Sequence, residues 1–182
     1  MVRPDLDDLP VVLPPPGFAL RFYHSGDDET WKRIHDEAER FHAVSLALFW
    51  REFGEAEAEL PRRQLFLCDP EGREVGAATA WFTDDYQGQP WGRIHWVAVS
   101  EKHQGRGLGR ALVSAVCRRF KELGHTRAYL TTESVRVPAI NLYLGFGFRP
   151  ELKHDGDRRE WEALRGRGAG LDDPPKEGAP RP

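Results

Sequence analysis

Residues 104–110 (Gln-Gly-Arg-Gly-Leu-Gly-Arg) are the segment whose residue types and spacing point most directly to chemistry. The segment follows a strand-like run and opens a helical one, so the first amides of that helix lack internal partners and can bind an anion. Its three glycines remove the Cβ atoms that would keep a phosphate away from those amides. Arg106 and Arg110 are unfavourable at a helix N-terminus unless a negative charge offsets them. The segment predicts a phosphate site; the alternative is a glycine-rich turn with two solvated arginines.

Two common nucleotide-binding motifs do not fit this segment. A P-loop needs Gly-x-x-x-x-Gly-Lys-Ser/Thr, which the chain lacks. A dinucleotide fingerprint needs Gly-x-Gly-x-x-Gly, and Arg110 stands where the third glycine would follow Gly105 and Gly107. The expected phosphate ligand is therefore neither a P-loop nucleotide nor a dinucleotide held by a Rossmann turn.

Two motifs, in the same order along the chain, resemble those of one enzyme family. Residues 104–109 (Gln-x-x-Gly-x-Gly) follow a strand ending in Val-Ala-Val at 97–99, and they resemble the acetyl-CoA loop of GNAT-family (general-control-nonrepressible-related) N-acetyltransferases. Residues 139–148 resemble the family's later signature, Ala-x-x-Leu-Tyr-x-x-x-Gly-Phe. The order of elements over 18–164 also fits that family, so the resemblance covers the central region of the chain.

The resemblance implies a mixed α+β fold, in which a mostly antiparallel central sheet contains one splayed parallel pair of strands and carries helices on both faces. It also implies transfer of the acetyl group of acetyl-CoA to a primary amine of a small molecule or protein, by direct attack in a ternary complex and without a metal. Acetyl-CoA and the amine are then the expected partners. The alternative is a non-catalytic acyl-CoA-binding sensor or interaction module of the same fold.

The resemblance also assigns the contacts of the cofactor. The pantetheine arm would enter a cleft between the strand at 93–99 and its parallel neighbour at 127–132. It would pair with the backbone of Val97, Ala98 and Val99 as an added strand does. The glycine turn would present its amides to the pyrophosphate, and the implied contacts are Gln104, Gly105, Arg106, Gly107, Leu108, Gly109 and Arg110.

Proton transfer is assigned less completely. Tyr143 takes the place of the family's general acid, which protonates the departing thiolate; the alternative is an aromatic residue of the core. Glu133 is the preferred general base, His95 is a rival whose ordinary pKa suits the task, and a water chain is a third option. Arg136 stands where many family members have an asparagine that holds the cofactor. Arg136 could reach a phosphate and Asn141 could contact the pantetheine, or both could be solvated.

The acceptor is expected beside the first two helices, the loop after the third strand and a C-terminal hairpin. Acidic residues cluster in the first two helical stretches, at 27–29 and 55–59. They could favour a cationic amine, or they could be the solvated faces of helices. Fold-level analogy does not name a substrate.

Hydrophobic periodicity and turn residues predict the elements that must position these groups. Strands are expected at 18–23, 64–68, 74–82, 93–100, 127–132, 146–152 and 158–164. Helices are expected from position 26, over 44–60, over 107–123, and from 138 to 145 or 147. A loop is expected at 84–92.

Composition predicts one domain and argues against several other classes of protein. The 182 residues, 40% of them hydrophobic, are enough for one packed core. The net charge is −3, from 26 basic and 29 acidic residues, so nucleic-acid binding is not expected. No apolar run approaches the ~20 residues of a membrane-spanning helix, and no signal peptide is recognised. Cys68 and Cys117 are the only cysteines, so we expect no metal site, no disulfide and a reducing cytoplasmic setting. The expected state of the protein is a monomer or homodimer.

The expected organisation has three parts. A proline-rich tail occupies 1–17, an acetyltransferase domain occupies 18–164, and a Gly/Pro-rich tail occupies 165–182.

Overall fold

A computed structural model describes residues 1–39 and 42–165. The strands, in chain order, are β1 (Val2–Arg3), β2 (Ala19–Phe22), β3 (Gln64–Cys68), β4 (Glu74–Tyr86), β5 (Gln89–Val99) and β6 (Ala128–Tyr129). They form one sheet in the order β1-β6-β5-β4-β3-β2. All neighbours are antiparallel except β5 and β6, which run parallel. The mixed α+β class and the single parallel pair are confirmed.

Six α-helices accompany the sheet in the described residues: α1 (Asp27–Ala38), α2 (Leu46–Phe53), α3 (Leu60–Arg63), α4 (Leu108–Glu122), α5 (Val137–Gly145) and α6 (Asp155–Arg165). One core lies between the sheet and α4, and a second, aromatic core lies between the opposite face and α1 and α2. The helices on both faces of the sheet, which the family resemblance implies, are therefore confirmed.

The helix α4 follows directly from its sequence pattern. Leu108, Leu112, Val116 and Phe120 recur every fourth residue and are fully buried against the sheet. Gly124 then adopts φ +82 and ends the last turn, a conformation that favours glycine. The predicted span of 107–123 agrees with the structure to within one residue at each end.

The predicted loop at 84–92 is wrong. The antiparallel ladder between β4 and β5 continues to the pair Tyr86 and Gln89. Only Gln87 and Gly88 connect the strands, with φ of +57 and +79. Two central residues with positive φ match the twist of a tight hairpin, so a polar, Gly-containing stretch here extends the strands.

The predicted hairpin over 146–152 and 158–164 is also wrong. Residues 155–165 form α6, whose buried residues Trp161 and Leu164 are spaced by three and lie on one face of the helix. Between α5 and α6 the ladder is reduced to a single bridge between Val2 and Arg149. The Asp155-Gly156 pair begins a helix here and does not form a turn between strands.

The N-terminal segment, expected as a tail over 1–17, takes part in the fold. Val2 and Arg3 pair with β6, Leu6 is 2% exposed, and the Arg3 guanidinium donates to the carbonyl of Phe146. A proline-rich composition argues against helix but still allows a short strand to cover a sheet edge. In the predicted C-terminal tail, Arg165 ends α6, and residues 166–182 lie outside the described residues.

No helix in the described ranges is both long enough and apolar enough to cross a membrane. The cytoplasmic location, and the monomeric or homodimeric state, stay predictions.

Candidate active site

The candidate site is a cleft that opens where β5 and β6 stop pairing. The parallel ladder contains only Gly92 with Ala128 and Arg93 with Tyr129. Beyond these pairs, residues 94–99 of β5 and 131–133 after β6 line the two sides of a cleft of about 690 Å³. The remaining walls come from α1, α2 and α5. The splayed parallel pair implied by the resemblance is therefore present.

A β-bulge shapes the β5 wall. Trp96 and Val97 together lie opposite the single residue Ala78 of β4, and Trp96 has φ +50, which is strained for an aromatic residue. His35 of α1 lies beneath the bulge, with Nε2 3.3 Å from the Trp96 carbonyl oxygen. Burial lowers the pKa of His35 to about 4, so the ring is neutral at pH 7.

The three residues predicted to meet the pantetheine line the cleft just past this bulge. Val97, Ala98 and Val99 all face it, while Ala98 keeps its register with Ala77 of β4. The carbonyl of Val99 accepts a hydrogen bond of 2.9 Å from the Gln104 side chain. Gln104 also lines the cleft, and it ties the glycine turn to the end of β5.

The glycines of the turn are not equivalent. Gly105 and Gly107 have φ of +74 and +79, and Gly107 caps α4. Gly109 has no positive φ, and a Cβ there would make only an ordinary van der Waals contact, 3.4 Å from Leu142 of α5, so this position requires glycine neither for its backbone nor for space. The amides of residues 105–107 donate to no backbone acceptor in the described part of the chain. Together with the first amides of α4, they form the anion-binding arrangement that the sequence predicts.

The side chains around the turn are divided between core and solvent. Leu108 is 1% exposed and packs in the core, so only its amide faces the turn. Arg106 and Arg110 are exposed and lie over the rings of Phe18 and Phe146, 5.0 and 5.7 Å from their centroids. Neither arginine has a carboxylate partner among the residues that the structure describes.

Tyr143 and Asn141 lie on different sides of α5. Tyr143 is 8% exposed and lines the cleft, and burial raises the pKa of its phenol to about 12. Asn141 is exposed and is not part of the cleft wall. Residues two positions apart in a helix point in directions that differ by ~200° around its axis, so Asn141 and Tyr143 cannot both face the same cleft.

Glu133 lies at the rim of the cleft, between a histidine and an arginine. Its carboxylate is 2.9 Å from Nε2 of His42 and 3.0 Å from Nε of Arg136. These contacts, led by the hydrogen bond from His42, lower the pKa of Glu133. Arg136 also binds Glu39 at 2.8 Å, so the residue at the family's asparagine position joins the end of α1 to the start of α5.

His95 and Glu52 form a second pair deeper in the cleft, in which the histidine is buried and the carboxylate is partly exposed. Nε2 of His95 lies 3.1 Å from Oε2 of Glu52, close enough for an ion pair, although the angle does not satisfy a hydrogen bond. Burial lowers the pKa of His95 despite the opposing effect of Glu52, and the neighbouring histidine lowers the pKa of Glu52 to about 2. We take the ring as neutral, since it is almost fully buried.

Sequence reasoning missed Glu52. The signal was present, because Glu52 stands between Phe49 and Phe53, the two buried residues of α2, on a helix face that is otherwise apolar. A carboxylate at such a position needs a buried partner or a function.

Within the described residues, no group of three His, Cys, Asp or Glu side chains could hold a metal ion.

Comparison with known proteins gives the same family as the two sequence motifs. The model of the acetyltransferase (GNAT) family matches residues 27–148. Mycothiol acetyltransferases from Thermomonospora curvata and Catenulispora acidiphila are 31% and 28% identical to the chain over 152 and 159 residues. These matches cover 81% of this chain but 50% and 49% of those proteins, so the chain spans about half the length of these curated relatives.

Solved structures share the fold at low sequence identity. The ribosomal-protein-S18-alanine N-acetyltransferase from Escherichia coli superimposes with a TM-score of 0.59 at 20% identity, covering 74% of this chain and 79% of that one. A structure of the NatC complex bound to Gag peptide and CoA gives 0.62 at 16% identity, covering 77% and 92%. With the family model matching most of the domain around the splayed strands and the glycine turn, the chain belongs to the acetyltransferase (GNAT) family.

Proposed function

We propose that this protein transfers the acetyl group of acetyl-CoA to an amine by direct attack within a ternary complex. The observation that carries the proposal is the cleft between β5 and β6. It has a bulged strand along one wall, and beyond its end lie the amides of residues 105–107, which donate to no backbone acceptor among the described residues. Acetyl-CoA supplies the thioester carbonyl that the amine attacks. Two bound reactants held in line account for much of the rate of such a reaction.

The fit of this cofactor rests on backbone groups. Residues 97–99 offer the edge of a strand to the amide groups of a pantetheine arm, because no described strand pairs with β5 on that side beyond Arg93. The glycine turn offers amides and no Cβ atoms at Gly105 and Gly107, where a pyrophosphate needs close approach. Both features support Val97, Ala98, Val99 and the turn as cofactor contacts, and the exposed position of Asn141 favours a solvated role for that residue.

Tyr143 is proposed as the general acid. It lies in the wall of the cleft, and its raised pKa keeps the phenol protonated at neutral pH. A protonated donor beside the sulfur would assist departure of the thiolate as the C–S bond breaks, so that CoA leaves as the thiol. The buried phenol would itself donate the proton to sulfur, so a water molecule is not needed as the donor.

His95 is proposed as the general base in preference to Glu133. The carboxylate of Glu133 is bound to His42 and Arg136, and both contacts make it a weaker base. His95 is neutral and buried, and Glu52 faces its Nε2. With the proton on Nε2, which lies 3.1 Å from the Glu52 carboxylate, the Nδ1 lone pair would accept a proton from the amine.

Calorimetry with acetyl-CoA followed by an amine screen tests the proposal. We expect binding of acetyl-CoA, and release of CoA thiol that depends on an added amine and exceeds the release without one. The panel contains small primary amines and peptides with free N-termini. Failure to bind acetyl-CoA would overturn the proposal. Binding without turnover on any amine would favour the alternative, a non-catalytic acyl-CoA-binding module.

A further inference from the structure

Arg93 is a cation in the cleft that has no carboxylate partner in the described part of the chain. It lies on β5, at the last residue pair before β5 and β6 separate, and its side chain lines the cleft. Its Nε atom is buried and has no hydrogen-bond partner among the residues that the structure describes. The nearest compensation is the ring of Tyr129, whose centroid is 6.0 Å from the guanidinium carbon. A buried N–H donor with so little compensation is unfavourable unless a ligand accepts its hydrogen bond.

The other charged groups of the cleft are paired. Arg136 binds Glu39 and Glu133, and Glu52 faces His95. Arg93 therefore has a different environment from its neighbours, and its free donors are available to a molecule that enters the cleft.

Arg93 lies on the acceptor side of the sheet. Gly92 faces Phe120 of α4, so its neighbour Arg93 faces the opposite side, toward α2. His95 is two residues further along and faces the same way, and the charge of Arg93 contributes to lowering the pKa of His95. A molecule that brings an amine to His95 therefore passes beside Arg93.

Building on the proposed function, we infer that the acceptor amine carries a carboxylate and that Arg93 binds this carboxylate while His95 receives the proton of the amine. A planar guanidinium presents paired donors that match the two oxygens of a carboxylate. The cleft already holds the carboxylates of Glu39 and Glu52. Because these carboxylates repel a negatively charged ligand, a carboxylate with one charge suits the cleft better than a phosphate dianion with two.

Matched pairs of amines test this inference. Each pair consists of an amino acid and its carboxamide, with the amine α, β or γ to the acid, and phosphoethanolamine serves as a phosphate-bearing amine. For at least one pair we expect kcat/KM to be about ten- to a hundredfold higher for the acid, as for hydrogen bonds to charged groups. Arg93→Gln should remove this preference by lowering turnover of the acid far more than turnover of the carboxamide, while Arg93→Lys should keep part of the preference.

Arg127→Gln is the matched control, because Arg127 lies over Trp91, 5.6 Å from its centroid, and does not line the cleft. It should keep the full preference for acids. Equal turnover of acid and carboxamide in every pair, a preference for phosphoethanolamine, or an equal loss on both members in Arg93→Gln would overturn the inference.

Calorimetry separates this inference from the proposed function. Binding of the amino acids to the CoA-loaded protein is measured for the wild type, Arg93→Gln and Arg93→Lys, whether or not acetylation occurs. Loss of binding in Arg93→Gln, with partial retention in Arg93→Lys, supports the carboxylate site even if turnover is absent. Equal binding in all three proteins, or no binding to any, overturns it even if other amines are acetylated. If Arg93→Gln does not fold, Arg93→Lys alone provides the comparison.

Discussion

The two ends of the cleft are built from different parts of the chain. The proposed cofactor end consists mainly of backbone: residues 97–99 of β5 and the amides that follow Gln104. The acceptor end consists of side chains, with the pair of His95 and Glu52 deep in the cleft and the partly exposed Arg136 network at its rim. The direction of a backbone N–H donor is set by φ and ψ, whereas the charge and pKa of a side-chain group are set by the groups buried beside it.

This difference predicts unequal sensitivity to substitution. At the cofactor end, replacing a side chain leaves the amides in place, so only changes that disturb the backbone should matter strongly. At the acceptor end, replacing a side chain removes the reacting group itself. The largest effects are therefore expected on turnover, and the smallest on cofactor affinity.

Tyr143→Phe should cause the largest change. Removing a general acid costs ~10²–10⁴-fold in rate, so we expect kcat to fall in that range while the affinity for acetyl-CoA is unchanged. Tyr23→Phe is the matched control, because the hydroxyl of Tyr23 is also buried but lies outside the cleft wall. Single-turnover kinetics on both variants measure the effect. Wild-type turnover in Tyr143→Phe would remove this residue from the acid role.

His95→Gln should lower kcat/KM about a hundredfold. This is the lower end of the ~10²–10⁴-fold contribution of a general base, because water can accept the proton instead. The pKa of His95 lies below 6.5, so in the wild type kcat/KM should fall as the pH drops through that lower value and the ring is protonated. The variant should lack this acidic limb.

Glu133→Gln and His125→Gln are the controls for the base, and both should keep that limb. If Glu133 were the base, its lowered pKa would put the limb below 4.5, and Glu133→Gln would abolish it. A pH profile for the four proteins distinguishes the two residues.

Gly107→Ala should have an intermediate effect, because it changes the backbone of the cofactor end. A Cβ at Gly107 meets no atom within 4 Å, so its cost is the strain of φ +79. That strain destabilises the fold by ~1–2 kcal/mol, and we expect the Kd for acetyl-CoA to rise about tenfold. Gly72→Ala has φ +80 and equal space but lies in the β3–β4 turn, so it should lose stability without losing affinity. Urea unfolding and calorimetry measure both quantities; an unchanged Kd in Gly107→Ala would place the pyrophosphate elsewhere.

Arg106→Gln and Arg110→Gln should have the smallest effects. Both side chains are exposed, and exposed charge pairs contribute ~0.2–1 kcal/mol, so each change should raise the Kd for acetyl-CoA about two- to fivefold. The loss should shrink as salt is added. Arg118→Gln, an exposed change further along α4, is the control. A loss of a hundredfold in either variant would contradict the backbone character of this end.

The parts of the fold that were predicted correctly are those with a strong local pattern. The periodicity of α4 and the β-branched run of β5 agree with the structure, as does the proline at the start of α5. The incorrect parts had weak or ambiguous local signals. Residues 155–165 are polar enough to suit a turn and a strand, and only Trp161 and Leu164, buried against α5, favour a helix. The edge strand β1 exists because β6 needs a partner, which is a tertiary requirement.

In the proposed site, the backbone end follows from the local sequence alone. Glycines at 105 and 107 select φ values that few other residues adopt, and the apolar repeat that follows them starts a helix whose first amides are free. Tertiary structure decided the charged end. Glu133 meets His42 across 91 residues, Arg136 meets Glu39 across 97, and Arg93 meets no carboxylate in the described residues. The pairing and the pKa of such groups depend on burial and on distances between elements, and these are set only when the helices pack on the sheet.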